Sequence, residues 1–452
     1  MELAQDDVVV LVGPNNSGKS SALRGVQQKI ENGNAPNPVV SSIRLELVGS
    51  VDDLRIWADS ALANPQPPAG GPQYRVFNTG FNQEHFNSWW KPSGLGPLTR
   101  VFCNMLNADA RLHAADAASN IDFTYEPLQH PIHFLYRDDA LEDRISQQFK
   151  RAFGVDLTVH RAAGSRIPLY TGPRPQRVHG QDRVSRDFVT RLELLPPLQT
   201  QGDGMRSFAG TLLEASFGSE TILLIDEPEA FLHPPQARLI GSMLVRNKVS
   251  PRQLIVATHS GDVLRGILDV NSPTVRVARI QRDGPVNGVR ELSNDRLNEL
   301  WKDPLLRHSN LLDSLFHERV VLAEADADCR FYAAILDAIL VDDIQHPDTM
   351  FIHCGGKDRM PKVLRALAAI GVGVSVVADF DVLRDENPLR GIVEALGGTW
   401  ADIEGDWRRV KNAVEGTKPE LNSDEVVAEI KSELDRVHQG MFPVESRRVM
   451  SS

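Results

Sequence analysis

The chain has few cysteines, no long apolar run and no excess of positive charge. Its three cysteines, Cys103, Cys329 and Cys354, show no CxxC spacing, so we expect free, mostly buried thiols in a cytoplasmic protein. No apolar stretch approaches the ~20 residues that cross a bilayer, and the N-terminus lacks the basic, then apolar pattern of a secretory signal. We therefore expect no contact with a membrane. A length of 452 residues predicts two or three domains.

The net charge of −11 also restricts the choice of partners. A protein of this sign does not attract nucleic acid through its average field, so contact with DNA or RNA requires a local basic patch or metal ions. One segment contains a run of arginines that could follow a phosphate backbone. A solvated loop, or an arm that contacts a neighbour, is the simpler interpretation. The members of the run are Arg161, Arg166, Arg174, Arg177, Arg183 and Arg186.

Residues 8–20, VVVLVGPNNSGKS, contain the pattern G-x-x-x-x-G-K-S between a predicted strand and a predicted helix. This is the context that a phosphate-binding loop requires. Its glycines let backbone N–H groups turn inward around an anion, and the helix N-terminus adds its dipole. Lys19 is expected to reach the β- and γ-phosphates of ATP, and Ser20 to place its hydroxyl on Mg²⁺. The predicted ATP-binding residues are Gly13, Pro14, Asn15, Asn16, Ser17, Gly18, Lys19 and Ser20.

Two later segments strengthen this prediction. In TILLIDEP, four apolar residues place Asp226 and Glu227 at the end of a strand. Asp226 is expected to hold Mg²⁺ through water, and Glu227 to orient or deprotonate the attacking water. In QLIVATHS, His259 ends another apolar strand, where it could sense the γ-phosphate; a lone core or surface histidine is the alternative.

Between these motifs, residues 201–207 have the sequence QGDGMRS. This resembles the signature loop of ABC-class ATPases, and ILLIDEPEAFLHP followed by ATHS is similar to the AAA-type subgroup of that class. The resemblance implies that Gly202 and Gly204 cap the ATP of a second copy in a head-to-tail homodimer. Gly202 stands at the usual serine position, so only backbone N–H groups would contact the γ-phosphate. Only seven residues precede the first strand. Related proteins have a further N-terminal strand that lies beside the adenine. Its absence here predicts a weakened affinity for the nucleotide, or a misplaced start of the sequence.

Residues 31–195 are too long for a simple connection and are predicted to form an insertion or lobe on an ATPase domain spanning 1–300. Gln83 is a candidate for the metal-sensing glutamine of such ATPases.

The pattern restarts after residue 300 with strands that alternate with helices, which predicts a small parallel sheet over 317–452. The segment VVADFD ends an apolar strand in two carboxylates. Because side chains in a strand repeat every two residues, we expect Asp379 and Asp381 to share a face. Such a pair repels unless a cation such as Mg²⁺ or Mn²⁺ binds both. Glu324, at a neighbouring strand end, would complete the site and Asp328 would add a ligand for a second metal; a solvated turn is the alternative.

This Glu and DxD arrangement resembles a TOPRIM domain, and its position behind an ABC-class ATPase resembles the OLD (overcoming lysogenization defect) family and related ATPase–TOPRIM pairs of phage defence. The resemblance implies ATP-regulated, metal-dependent cleavage of nucleic acid. Two features depart from the family. Ala325 replaces the glycine that usually follows the first glutamate, and the C-terminal part offers only weak further candidates, namely Lys357, Asp402 and Glu404.

We therefore expect an α/β protein in which an ABC-class P-loop ATPase domain precedes a TOPRIM-like domain. In the first hypothesis, ATP closes a dimer of ATPase heads and the second domain cleaves DNA or RNA. In the second hypothesis, the ATPase builds a scaffold and the TOPRIM-like domain binds a partner without cleaving it. A transporter ATPase fits less well, because the insertion and the second domain have no place in that architecture.

Overall fold

The computed structural model describes most of the chain. Its described residues are 1–61, 73–76, 79–82, 84–124, 126, 128, 130–177, 182–218, 220–284, 286–292, 310–339, 347–416 and 423–436. The strands in this part are β1 (Val8–Val12), β2 (Gln73–Val76), β3 (Thr79–Asn82), β4 (Cys103–Leu106), β5 (Ala118–Ser119), β6 (Asp156–Val159), β7 (Arg166–Ile167), β8 (Leu169–Gly172), β9 (Ile222–Asp226), β10 (Gln253–Ala257), β11 (Val275–Asp283), β12 (Val286–Leu292), β13 (Arg319–Ala323), β14 (Thr349–His353) and β15 (Val374–Val376).

Helices cover and connect these strands. In the same part of the chain they are α1 (Lys19–Glu31), α2 (Val51–Ala61), α3 (Glu84–Trp89), α4 (Thr99–Phe102), α5 (Ala108–Ala114), α6 (Pro131–Arg137), α7 (Asp139–Phe153), α8 (Arg186–Glu193), α9 (Asp203–Phe217), α10 (Pro234–Arg246), α11 (Gly261–Leu268), α12 (Asp326–Ile339), α13 (Met360–Ala369), α14 (Glu386–Ala395), α15 (Trp400–Gly416) and α16 (Ser423–Arg436). Short 3-10 helices lie at Gly96–Leu98, Leu198–Thr200, Asn310–Phe316, Lys357–Arg359 and Phe380–Arg384. None of these described helices is both long and apolar enough to cross a bilayer.

A six-stranded sheet forms the centre of the first domain, in the order β12-β11-β1-β10-β9-β4. All neighbours in it are parallel except β12, which runs antiparallel to β11. All five residues of β1 are buried, as expected for an apolar strand that lies between two parallel neighbours. The loop after β1 and the carboxylates after β9 therefore lie at the carboxyl edge of one sheet, where open α/β sheets bind ligands.

The segment 31–195, predicted to be an insertion or lobe, contributes to this central sheet. Strand β4 pairs in parallel with β9 and forms the edge of the sheet. Helix α5, which follows β4, packs against α9. The short antiparallel pairs β5–β7 and β6–β8 form separate small sheets in the same segment. The prediction of an insertion throughout 31–195 is therefore wrong for β4 and α5, because the edge strand and its helix had no distinguishing motif.

Half of the arginine run is used inside the protein. Arg161, Arg174 and Arg183 form ion pairs with Glu142 on α7, and their side chains are 10%, 20% and 5% exposed. The remaining three are exposed: Arg166, Arg177 and Arg186. Half of the run therefore belongs to a structural charge network, and the run does not form one continuous basic surface.

The second domain contains a three-stranded parallel sheet in the order β14-β13-β15. The predicted strand Val320–Ala323 and the predicted helix start at Asp326 agree with β13 and α12. Because β13 is the central strand, Glu324 follows directly between the ends of its two neighbours. The third strand ends at Val376, earlier than predicted.

Candidate ATP and metal sites

The loop after β1 needs glycine at two positions. Gly13 has φ +148° and Gly18 has φ +95°, a region that side chains rarely adopt. A Cβ atom on Gly13 would lie 2.1 Å from the carbonyl oxygen of Ile280 on β11. The loop is thus built against the neighbouring strand, and Gly18 leads directly into α1.

Lys19 is held inside this loop. Its Nζ donates hydrogen bonds to the carbonyl oxygens of Gly13 and Pro14, each at 2.7 Å, and the residue is 3% exposed. Burial lowers the pKa of Lys19 to about 8, although three nearby carboxylates oppose this shift. When a phosphate enters the loop, its oxygens can replace these carbonyl oxygens as acceptors for the ammonium group, next to the helix N-terminus.

Ser20 and Asp226 meet although 206 positions separate them. The Ser20 hydroxyl donates to Asp226 Oδ1 over 2.9 Å. Burial raises the pKa of Asp226, and the bond from Ser20 opposes that shift. A hydroxyl and a carboxylate oxygen beside a phosphate loop are the hard ligands that Mg²⁺ prefers, so this pair fits the metal that accompanies ATP.

Glu227 and His259 lie at the ends of adjacent strands. Glu227 has φ +50°, its side chain is 48% exposed, and its Oε1 lies 3.4 Å from His259 Nε2. Burial, followed by the charge of Lys19, lowers the pKa of His259, which favours neutral imidazole. Glu229, which the sequence did not single out, accepts hydrogen bonds from the His259 backbone N–H at 2.7 Å and the Thr258 hydroxyl at 2.9 Å. Glu229 thereby fixes the position of the histidine.

Arg111 is a second residue that the sequence gave no reason to choose. It is completely buried on α5, and its guanidinium donates to the carbonyl oxygens of Asp226 at 2.5 Å and Glu227 at 2.9 Å. A lone arginine in an unremarkable helix carries no sequence signal, so only the three-dimensional structure reveals this contact.

The glycines of the signature-like loop lie at the start of α9. Gly202 is the N-cap residue, and no heavy atom lies within 4 Å of a Cβ built on it, apart from its own chain neighbours. A Cβ on Gly204 would lie 2.7 Å from the carbonyl oxygen of Phe231. The open helix N-terminus fits an anion, but binding to the ATP of a second copy stays a prediction. Gln83 lies outside the described residues.

The carboxylates of the second domain are arranged differently from the expected strand pair. Asp379 is the N-cap of the 3-10 helix Phe380–Arg384, and Asp381 lies inside that helix. The period-two argument for a shared strand face is therefore wrong, because the extended strand ends before either residue. Lys357 Nζ instead donates to Asp381 Oδ2 at 2.8 Å and lies 2.9 Å from Asp385 Oδ2. These bonds raise the pKa of Lys357.

Glu324 lies at the same edge of the sheet. Its Oε1 accepts the backbone N–H of Lys357 at 3.2 Å, whereas Oε2 is buried and has no hydrogen-bond partner. Asp328 accepts the Ala325 N–H at 2.8 Å, as a residue in the first turn of α12. In the described part of the chain, no group of three or more His, Cys, Asp or Glu side chains is close enough to hold a metal. The unpaired, hard oxygen of Glu324 still fits a divalent cation.

The other candidates of the second domain have local partners. Glu404 pairs with Arg408 one turn along α15, at 2.6 Å. Asp402 lies in the first turn of the same helix, where a negative charge is favourable.

Comparisons with known proteins agree with this arrangement. Residues 119–266 match the family described as "AAA domain, putative AbiEii toxin, Type IV TA system", a range that includes the signature-like loop, Asp226 and His259. Residues 315–381 match "Overcoming lysogenization defect protein-like, TOPRIM domain", a range that includes Glu324 and the two aspartates. Over 171 residues the chain is 27% identical to the Old nuclease of Escherichia phage P2. That match covers 36% of this chain and 28% of the relative's length.

Solved structures with a weaker likeness are heads of SMC proteins. One, bound to the C-winged helix domain of ScpA, has a TM-score of 0.37 and 12% identity, covering 66% of this chain and 94% of that one. The SMC head domain from Thermotoga maritima has a TM-score of 0.32 and 10% identity, covering 65% and 92%. The sheet order, the phosphate loop and the two family matches together show that the chain carries an AAA-type P-loop ATPase domain followed by an OLD-like TOPRIM domain.

Proposed function

We propose that this protein binds and hydrolyses ATP and couples the nucleotide state to metal-dependent cleavage of DNA or RNA. The observation that carries the ATPase part is the bond between Ser20 and Asp226 beside the buried ammonium of Lys19. These three groups come from two strand ends and would hold the β- and γ-phosphates and Mg²⁺. Glu227, at the next position, would orient the attacking water and accept its proton.

The likeness of the second domain to an OLD-like TOPRIM domain supports the nuclease part. Glu324 and Asp379 follow the adjacent parallel strands β13 and β15 and would hold a divalent cation together with Asp381. When bound, Mg²⁺ or Mn²⁺ would act as a Lewis acid that activates water and stabilises the leaving oxygen. The protein's own part is to hold the carboxylates and, through Lys357, to supply a positive charge next to them.

The proposal extends to assembly and context. The open N-terminus of α9 fits the γ-phosphate of a second copy, so ATP would close a homodimer of ATPase heads. The resemblance to ATPase–TOPRIM pairs of phage defence supports a cytoplasmic role in defence against phage.

Substitution of Glu227 tests the ATPase part. Glu227→Gln keeps the shape of the side chain but removes the base, so ATP binding should persist while kcat falls about 100-fold or more. If the heads dimerise, the variant should accumulate as a dimer with ATP in light scattering. Lys19→Ala is the control, since loss of the loop ammonium should remove ATP binding in calorimetry. Unchanged hydrolysis by Glu227→Gln would exclude this residue as the base.

A cleavage assay tests the nuclease part. We expect cleavage of plasmid DNA or RNA that depends on Mg²⁺ or Mn²⁺, changes with ATP and disappears in Asp379→Ala. The second candidate function is a non-cleaving ATPase scaffold, which is favoured by the ion pair that already occupies Asp381. No cleavage under any metal and nucleotide condition, together with intact ATP hydrolysis, would favour the scaffold.

A further inference from the structure

Arg111 connects the strand end that carries Asp226 and Glu227 with helix α9, which begins at the signature-like loop. It is 0% exposed, and its guanidinium reaches three elements at once. Nε donates to the Ser207 hydroxyl at 3.2 Å, and Nη1 to the Leu106 carbonyl at 3.3 Å and the Asp226 carbonyl at 2.5 Å. Nη2 donates to the Glu227 carbonyl at 2.9 Å. The arginine thus connects the end of β9 with the first turns of α9.

We propose that Arg111 is a positioning residue for ATP hydrolysis, which couples the position of helix α9 to the orientation of Glu227. The inference rests on the proposed ATPase function. Arg111 would transmit the binding of a nucleotide at the N-terminus of α9 to Glu227 on the same chain.

Backbone strain at Glu227 explains why a clamp is needed. Its φ of +50° is unfavourable for a residue with a side chain and persists only when the surroundings hold it. The two Arg111 bonds fix the carbonyl groups on both sides of this residue, while the Glu227 N–H donates to the Ala257 carbonyl at 2.8 Å. Without the guanidinium, the peptide can relax and the carboxylate changes its direction.

Arg111 and its helix α5 also lie in close contact with helix α9. A Cβ on Gly210 would lie 2.0 Å from the Arg111 carbonyl oxygen, so α5 and α9 touch through their backbones. Ser207 is fully buried, and its carbonyl accepts the Thr211 hydroxyl at 2.7 Å, which fixes the helix turn that presents the Ser207 hydroxyl. A displacement of α9 must therefore move Arg111 as well.

Only arginine can make this set of contacts. Its planar group offers five donors in a fixed geometry and keeps its charge when buried. Lysine has the charge but lacks the planar, multi-donor group, so Arg111→Lys removes the simultaneous bonds to Ser207 and to the carbonyls of Asp226 and Glu227. Carboxylates nearby, including that of Glu229, compensate the buried charge.

Arg252 supplies a matched control. It is 1% exposed and donates to the carbonyl oxygens of Glu220, at 2.9 Å, and Glu214, at 3.0 Å. It contacts the C-terminal end of α9 and the segment before β9, far along both elements from Gly202 and Asp226. Arg252→Lys should therefore lower stability without changing the direction of Glu227.

The experiment compares ATP affinity with turnover in three variants. In Arg111→Lys we expect kcat to fall about 30- to 100-fold, as for misplaced catalytic groups, while the Kd for ATP stays within about threefold. Ser207→Ala, a milder change that keeps the arginine, should lower kcat about three- to tenfold and weaken the dependence of turnover on protein concentration. Arg252→Lys should keep kcat within about twofold of the parent despite a lower Tm.

Equal losses of kcat in Arg111→Lys and Arg252→Lys would overturn the inference, since a general loss of stability would then explain both. Parental kcat and concentration dependence in Ser207→Ala would also overturn it, even if Arg111→Lys failed to fold. A parent protein that binds ATP but does not hydrolyse it would overturn the proposed function itself, and the inference with it.

Discussion

Lys357 pairs with Asp381, one of the two aspartates between which we expected a metal. Its ammonium group lies 2.8 Å from Asp381 and 2.9 Å from Asp385, and its backbone N–H binds Glu324. A side chain of the protein thus relieves the repulsion between Asp381 and Asp385. A divalent cation that binds Asp381 must compete with this lysine. Glu324 Oε2 has no hydrogen-bond partner. Among the described contacts, the Lys357 ammonium pairs with neither Glu324 nor Asp379, so a cation at these two residues would not compete with it.

Substitution of single carboxylates should separate the two metal sites. In a Lys19→Ala background, which removes nucleotide-linked metal, Mn²⁺ should raise the Tm of the protein by mass action. Asp379→Ala and Glu324→Ala should lose this gain, because a smaller ligand set binds the cation more weakly. The measurement is thermal unfolding with and without Mn²⁺.

The exposed pair of Arg390 and Glu394, at 2.8 Å on α14, provides the control, and Glu394→Gln should keep the gain in Tm. An Asp379→Ala variant that gains as much from Mn²⁺ as its parent would show that this aspartate binds no metal.

The sequence predicted residues whose motifs have a fixed spacing and missed those that act through tertiary contacts. Gly13 to Ser20 lie in the predicted strand–loop–helix, and Ser20 meets Asp226 as the motifs imply. The alternation argument failed at Asp379, because it holds only while the chain is extended. The preference of aspartate for cap positions was the available signal that a strand could end there. Arg111 and Glu229 had no such signal.

At the scale of elements, β4 shows why domain limits were hard to predict. Its sequence, CNML, is short and has no motif, yet it completes the central sheet beside β9. Strand order depends on long-range pairing, which a local pattern does not contain. The alternation of strands and helices after residue 300, in contrast, was enough to predict the parallel sheet around β13.

Helix α9 has a pH-sensitive group at its far end. Burial, followed by the charge of Glu220, raises the pKa of Glu214 to about 8, above its ordinary value of 4.5. The folded state therefore keeps a proton that the unfolded state loses above pH 4.5. Stability from this group is fully present below that value and is lost as pH rises through about 8, by about 2.5 kcal/mol between pH 6 and pH 8.5.

Glu214→Gln should remove this pH dependence. The amide stays neutral, so the free energy of unfolding should exceed that of the parent by about 2 kcal/mol at pH 6 and by about 4–5 kcal/mol at pH 8.5. Urea denaturation at both pH values measures it. Glu394→Gln, an exposed change, should follow the parent at both. If Glu214→Gln and its parent lose equal stability between the two pH values, Glu214 is ionised in the folded protein.

At the scale of the whole molecule, Arg279 connects the two domains. It lies on β11, is 3% exposed and pairs in register with Val12, the residue before the phosphate loop. Its guanidinium donates to the carbonyl oxygens of Leu315 at 3.3 Å, His317 at 3.0 Å and Gly371 at 2.9 Å. Gly371 precedes β15, the strand that leads to Asp379. One side chain thus joins the sheet of the ATP site to the sheet of the carboxylates.

This connection predicts how ATP binding at the phosphate loop affects the second domain. Because Gly13 packs on the Ile280 carbonyl, a phosphate that orders the loop should also restrain β11 and, through Arg279, residues 371–379. In the parent, a non-hydrolysable ATP analogue should slow amide hydrogen exchange both in residues 13–20 and in 371–379. In Arg279→Met the first effect should persist and the second should disappear.

The matched control for this last variant is Arg276→Met, three residues earlier on β11. Arg276 binds Glu291 and Asp7, at 2.7 and 3.0 Å, and so stays within the ATPase domain. With the ATP analogue, Arg276→Met should keep the slowed hydrogen exchange in residues 371–379. Because Arg279→Met leaves three carbonyl groups without their donor, it should also lower stability by about 1–3 kcal/mol for each group that water does not reach. Slowed exchange in 371–379 that survives in Arg279→Met would show that the nucleotide signal crosses the domain boundary elsewhere, and equal loss in both variants would trace it to the stability of β11.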